Sequence, residues 1–595
     1  MNFKLIVFVI LSTLSLKKVS AQDGKAFNTS YYEGENFTDK SFGCKIDSSN
    51  FPYVGSGYLV MEGKGSYVEW NNIYNATAGD YTLLIKYANA SGTNRSCKLI
   101  VNGIAFKDLD FTSHFEDWHY YWVERITIHL NAGINTIRLL ATTSIGGPNI
   151  DNIAVSNDNG LCGPTGSKYH VKDYGAKGDG KTNDTQAIQA AVDACSDGGS
   201  VILSDGTYMS GQIKLKSNMT LWVDRSAILK GIQDNSMYPA IEPHADNANV
   251  WLPGILGGGG WELKEAFVYA EGAHNLTIAG GGIIDGNGDC PIWDHTKDET
   301  LRPMALYVAY SNNVKVANID IVNSAMWNFV ILECDTVRVD GININTSTYG
   351  VNKDGIDICD SHEVSITNST ILCQDDAICP KSGSAKGVHN MRINNITING
   401  TTGNKIKFGT LTYGAFTNCL LQDIAINGSG RSGLCAISLQ GLDGANFSNI
   451  TFDKINLQTS ANAFFLLHAA GKRGHRPKNA PSRIGSISNI QFSNLDFRNI
   501  TENVGSCISG IKLEASIYKI KDITFNNVKV HSFKGGVTSI PKTPNEYNGN
   551  YPEYSVFGIL PAWGYYIRYA ERINFINSSQ TVIPTDKRPA IVRVE

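Results

Sequence analysis

The chain has no Lys/Arg-rich run and no basic excess, and its net charge is −4. That sets nucleic acid aside as a partner. Nowhere beyond the N-terminus do about 18 apolar residues run together, so no helical membrane span is expected. No CxxC pair or His/Cys spacing suggests zinc. The stretch GAKGDGKT (175–182) has the letters of G-x-x-x-x-G-K-[ST], but no strand of the right kind frames it, which sets a phosphate loop aside.

What is present is length, strand-like sequence and acid pairs. The 595 residues are 42% hydrophobic, enough for a large core and more than one domain. The opening MNFKLIVFVILSTLSLKKVSAQ has the shape of a secretory signal, with cleavage expected after Ala21. Export to the medium or periplasm follows. It permits disulfides, and Cys44 and Cys97 can pair. Cys334, Cys359, Cys373, Cys379, Cys419 and Cys435 sit in strand-like runs and read as small core residues.

Two regions follow the signal. Residues 27–156 carry short alternating runs (SYVEW, YTLLIKYAN, CKLIVNG, RITIHL, NTIRLLA) separated by turns, the pattern of a β-sandwich. Residues 157–167 are a linker by composition. Residues 168–590 open on a Gly-rich loop and a short helical pattern (Ile188, Ala191, Val192, Cys195) that Asp184 or Thr185 can cap. From about 267 a weak repeat appears: HNLTIAGGGIIDG, NNVKVANIDIVNS, DTVRVDGININTS, HEVSITNSTILCQ, HNMRINNITINGT. Each unit is an Asn- or Asp-led turn and two short strands. Coils of this length describe a parallel β-helix, with Asn as ladder and turn residues.

In such a fold a residue on one coil lies over its counterpart on the next, about 4.8 Å away. Asp354 in NKDGID precedes Asp375 by 21 residues, close to one coil. Asp354 and the adjacent Asp375 and Asp376 should therefore cluster, provided the chain bends at the pair. Clustered carboxylates raise at least one pKa, and a protonated carboxyl beside ionised ones suits glycosidic cleavage. A Ca²⁺ site or solvated turn acids are the other readings of that spacing.

The motifs also resemble a known family. YGAKGDGKTNDTQAIQAAVDAC, LRPMAL, NSAMWNF, NKDGID and QDDAICPKSG are similar to glycoside hydrolase family 28, the polygalacturonase family. The resemblance implies a right-handed parallel β-helix and inverting hydrolysis. Asp375 would be the general acid, with Asp354 and Asp376 activating water. Asn352 would lie in the substrate site. Two departures stand out. The family's G-H-G is replaced around Asn404 and Lys405, and its R-I-K, which grips the substrate carboxylate, has no counterpart in SGLCAISLQG (432–441). Strand alternation turns Ile406 and Phe408 inward and Lys405 and Lys407 outward. Lys407, Lys381 and Asn404 are thus the candidates to contact substrate. His468, Arg473, His475, Arg476 and Trp563 look like loop residues able to wall a cleft.

YEGEN, SYVEW, GDYTLLIKYAN and PNIDNIAV resemble carbohydrate-binding modules of families 6 and 35. The resemblance implies a structural Ca²⁺ on Glu33, Glu35 and Asp151 and a sugar site at Phe115, Trp118 and Asn149. The expected whole is an all-β, monomeric, exported hydrolase of α-linked galacturonate in pectic glycans, with no catalytic cofactor. The alternatives are a hydrolase of a neutral or sulfated galactan or a rhamnogalacturonan end, a β-helix lyase, and a non-catalytic binding protein.

Overall fold

The computed structural model describes residues 30–156, 162–241, 265–293, 302–428, 430–477 and 479–595. The signal-like segment 1–21 lies outside them, as does part of the linker at 157–161. Among the described residues no helix is long and apolar enough to cross a membrane.

The first region is a sandwich of two antiparallel sheets. One runs Cys44–Asp47, Tyr58–Met61, Asn149–Ser156, Gly79–Ala88, Trp122–Leu130, with Ser30–Glu33 added on Asn149–Ser156. The other runs Asp39–Lys40, Tyr67–Asn75, Gly133–Ala141, Cys97–Val101, Ile104–Leu109. The alternating residues of the sequence runs meet between them: Val68, Trp70, Leu83, Ile85, Leu99, Ile128, Ile137 and Leu139 form one buried core. Cys44 and Cys97 lie in it but are not bonded to each other. The Cys44 thiol donates instead to the Tyr67 carbonyl, at 3.1 Å, and both behave as small core residues.

The second region is a parallel β-helix. Among the described residues its coils stack into a 21-stranded and a 12-stranded sheet, with the helix Thr185–Ala194 in the first coil. Inward rows of Val, Ile, Leu and Phe fill its interior. Phe452, Phe492, Phe525 and Phe575 stack ring on ring at 5.1, 4.8 and 4.9 Å, the spacing of the strands themselves. The Asn-led turns have a specific cause. Asn275, Asn313, Asn390, Asn418, Asn449 and Asn489 all hold φ between 50° and 58°, a left-handed conformation that Asn tolerates. Their side chains then bond coil to coil: Asn418 to Asn390 and Asn449 to Asn418, both at 3.2 Å.

The sandwich docks on the 21-stranded sheet through buried polar groups. Lys86 Nζ donates to the Asn395 carbonyl and Oδ1 at 2.9 and 2.7 Å. Asn399 and Asn343 exchange amide bonds with the backbones of Tyr121 and Val123, and Arg125 pairs with Asp320 at 2.6 Å. Asn395 occupies a left-handed turn position, φ 55°. The same turn chemistry that stacks the coils therefore supplies one of the docking acceptors, Asn395.

Replacing Asn418 by Ala should cost about 1–2 kcal/mol, from the left-handed strain and two lost amide bonds. Asn418→Gly should cost less, because Gly keeps the turn. Urea unfolding of the two variants checks the order.

Candidate active site

The 12-stranded sheet builds the site. Its strands Ile356–Cys359, Ile378–Lys381, Ile406–Phe408 and Cys435–Gly441 lie side by side, with Ile356, Ile378, Ile406 and Ile437 in one register. These isoleucines face the core. Alternation puts Asp357, Cys379, Lys407 and Ser438 in a row on the opposite face. Two residues before the isoleucines the same register aligns Asp354, Asp376 and Asn404 on three consecutive coils, and Trp327 on the coil before.

The two adjacent acids diverge. Asp376 is buried in this column, whereas Asp375 is half-buried and turns back, its Oδ1 accepting from the Asp376 N–H at 2.9 Å. Gly403 permits the turn. A Cβ there would stand 2.5 Å from the Asp376 nitrogen and 2.6 Å from Asp375 Oδ1.

Burying these acids demands counter-charge. Lys407 Nζ is 3.0 Å from Asp376 and 2.9 Å from Glu553. Lys381 Nζ is 3.3 Å from Asp357 and 3.8 Å from Asp354, and lies over the Trp327 ring at 4.9 Å. Asn404 gives Asp376 Oδ1 two bonds, from its backbone N–H at 2.7 Å and its amide at 2.8 Å.

The titration states split accordingly. Burial pushes Asp376 up, but Lys407, Lys381 and Asn404 outweigh it and hold the carboxyl below its ordinary value. Burial, then Asp357 and Asp375, holds Asp354 well above that range. Facing carboxylates of this kind share one proton. Burial and Asp376 push Asp375 up to about 6. The cluster thus offers an ionised carboxylate beside a carboxyl protonated in mild acid, the pairing used to cleave an acetal.

Several expected contacts differ. Lys381, Lys407 and Asn404 are 4% exposed or less and bind the acids, not an open cleft. Lys405 is not outward. It precedes the strand, and its Nζ donates to the carbonyls of Thr401 and Arg431 at 3.1 and 3.0 Å. Asn352 Oδ1 accepts from Arg302 at 3.1 Å. His468 is buried, and burial lowers its pKa to about 4. Trp563 packs on the β-helix core beside Phe533. Neither walls a cleft. Arg473 donates to the Thr410 carbonyl at 2.7 Å, the His475 N–H to Asp443, and Arg476 to Ser482.

Asp357, Glu553 and Tyr551 were not anticipated. Asp357 closes the NKDGID motif, so the signal was present. Tyr551, whose hydroxyl is 3.3 Å from Lys407 Nζ, and Glu553 come from a loop about 145 residues downstream, and no periodicity announces them.

In the sandwich, Trp118 and Asn149 line a cavity of about 330 Å³ together with Arg95, whose guanidinium lies over the Trp118 ring at 4.9 Å. Phe115 is not part of it and packs on Tyr120 and Trp122. Glu33 and Glu35 meet across Gly55, where a Cβ would stand 2.6 Å from Glu35 Oε1 and 2.9 Å from Glu33 Cδ. One buried oxygen of each, Oε2, has no hydrogen-bond partner. Burial, then Asp151 and Glu35, raises Glu33 to about 9. That is the chemistry of carboxylates fit for a hard cation. Asp151 is already served by the Val54 N–H at 3.0 Å, the Asn152 amide at 2.8 Å, and Lys86 at 4.0 Å.

Comparisons with known proteins agree with the fold. The model of "Glycosyl hydrolases family 28" matches residues 205–547. A probable polygalacturonase of Vitis vinifera is 26% identical over 404 residues, covering 62% of this chain and 78% of its own. The family 28 exopolygalacturonase of Yersinia enterocolitica shares the fold at 17% identity and TM-score 0.56, over 92% of this chain and 98% of its own. A family 35 carbohydrate-binding module of Clostridium thermocellum is 33% identical over 21% of this chain and 96% of its own, with TM-score 0.20.

Lys407→Met should leave Asp376 buried without its nearest cation. We expect a loss of stability of about 3–5 kcal/mol and an upward shift of the Asp376 pKa, read by calorimetry and by carboxylate NMR titration.

Proposed function

The chain belongs to glycosyl hydrolase family 28 and is a glycoside hydrolase, and from that premise we propose that it hydrolyses α-linked galacturonate bonds of pectic glycans with inversion. The observation that carries this reading is the column of Asp354 and Asp376, with Asp375 turned out beside it. Asp375, protonated below about pH 6, donates to the leaving oxygen. Asp376, kept ionised by Lys407, takes the proton of the attacking water while Asp354 holds that water in place. Inversion needs the acid and the base roughly 6.5–9.5 Å apart, with water between.

Lys407 supplies the cationic contact. In the free protein it pairs with Glu553, and a uronate carboxylate can take that partner's place. The paired state of both lysines also favours a second reading, in which the substrate is a neutral or sulfated galactan or a rhamnogalacturonan end. The signal-like residues 1–21 support export. Trp118 and Asn149 support sugar binding by the sandwich, with a structural Ca²⁺ on Glu33 and Glu35 backed by Asp151. Asn352, held by Arg302, belongs to the rim of the substrate site.

Two tests follow. Incubation with homogalacturonan, rhamnogalacturonan oligomers and galactans should release reducing galacturonate from the first, with no unsaturated product absorbing in the ultraviolet. Unsaturated product would instead mean a lyase. Asp375→Asn should lower kcat by about 10²–10⁴; more than a tenth of the activity left in a folded variant would remove Asp375 from the role. The acid must be protonated, so kcat/KM should fall as pH rises through about 6. The base must be ionised, so it should also fall as pH drops below the ordinary carboxylate range. Separately, millimolar Ca²⁺ should raise the Tm of the wild type by several degrees and leave the Tm of Glu33→Gln unchanged.

A further inference from the structure

One concave surface belongs neither to the acid column nor to the Trp118 cavity. It lies at the seam between sandwich and β-helix, where a cavity of about 300 Å³ opens, at the small end for ligand sites. Every charged side chain lining it is a cation: Lys107 and Arg125 from the sandwich, Arg225 from the β-helix. Asp320 holds Arg125 at 2.6 Å and Glu124 holds Arg225 at 2.5 Å, yet neither carboxylate lines the cavity. These pairs fix the two guanidinium groups, and an arginine so fixed retains further N–H donors.

Two aromatic side chains complete the lining. Trp222 comes from the strand Met219–Val223 and Phe106 from the strand Ile104–Leu109; Phe106 is 48% exposed. Asn318, 5% exposed, also lines the cavity, and its amide donates to Thr82 Oγ1, a neighbour in the same lining, at 3.4 Å.

Cations beside aromatic faces together describe a sugar ring bearing a carboxylate. We propose that the seam cavity binds one acidic sugar residue of a glycan. Its carboxylate meets Lys107 and the arginines, and its ring face meets Phe106 and Trp222. A bare inorganic anion would leave the aromatic faces unserved. Because both bodies contribute, the bound sugar would also fasten the module to the β-helix. The inference does not depend on the catalytic reading.

The test is calorimetric titration of trigalacturonate into the full chain carrying Asp375→Asn, which suppresses turnover. The same titration is made with Phe106→Ala and Lys107→Ala added. Both changes lie on an exposed strand, and an unaltered Tm verifies the fold. We expect the added changes to remove one binding event or weaken it at least tenfold, while neutral galactotriose shows no such event in either protein. Superimposable isotherms, or an equal loss for galactotriose, would overturn the proposal. Hydrolysis of homogalacturonan by Phe106→Ala/Lys107→Ala without Asp375→Asn is read separately. Seam binding without hydrolysis by the wild type would count against the proposed function alone, and hydrolysis without seam binding against the seam site alone.

Discussion

The site depends on one constraint: acids stacked at the coil repeat must be buried together, and burial of like charge needs cations in the same column. Asp354 and Asp376 share a register position, and Asn404 continues it. Without Lys381 and Lys407 on the adjoining strands that column would be a cost with no return. With them the acids separate into distinct protonation states. Asp376 is held below the ordinary carboxylate range, Asp354 well above it, and Asp375, half-buried at the turn, is pushed up to about 6. The separation of the acids' titration thus follows from stacking geometry plus two lysines.

Much of this was legible in the chain. The 21-residue step from Asp354 to Asp375 matches one coil, and alternation correctly turned Ile406 and Phe408 inward and Lys407 outward. The Asn-led turns foretold both the β-helix and its ladder, because Asn is among the few side chains at ease in the left-handed region. Alternation failed at Lys405 because it applies only within the strand, which begins at Ile406. The pairing of Lys381 and Lys407 with acids was not legible for a different reason. Sequence shows that a lysine faces outward but not that acids on the next coils already claim its charge. Glu553 and Tyr551 arrive by a loop whose path no local pattern encodes. Cys44 and Cys97 share a core without sharing a bond, and the sandwich holds through its apolar packing.

The two bodies are joined by the same turn chemistry. Asn395, a left-handed corner of the β-helix, accepts from Lys86 of the sandwich. Lys86 in turn stands 4.0 Å from Asp151, behind the Glu33 and Glu35 pair. The glutamate pair and the docking contact are therefore electrostatic neighbours. The sandwich packs on the 21-stranded sheet, while the acids project from the 12-stranded one. The module accordingly leaves the face that bears the acids uncovered.

The central claim is that the Asp354–Asp376 pair delivers water from the side opposite Asp375. The most direct measurement is proton NMR of the anomeric signals during the first minutes of hydrolysis of an α-linked galacturonate oligomer. The account predicts that the β-anomer of the new reducing end appears first and the α-anomer only later, by mutarotation. Initial appearance of the α-anomer would mean retention and a covalent intermediate, and would contradict the assignment of Asp354 and Asp376 to water.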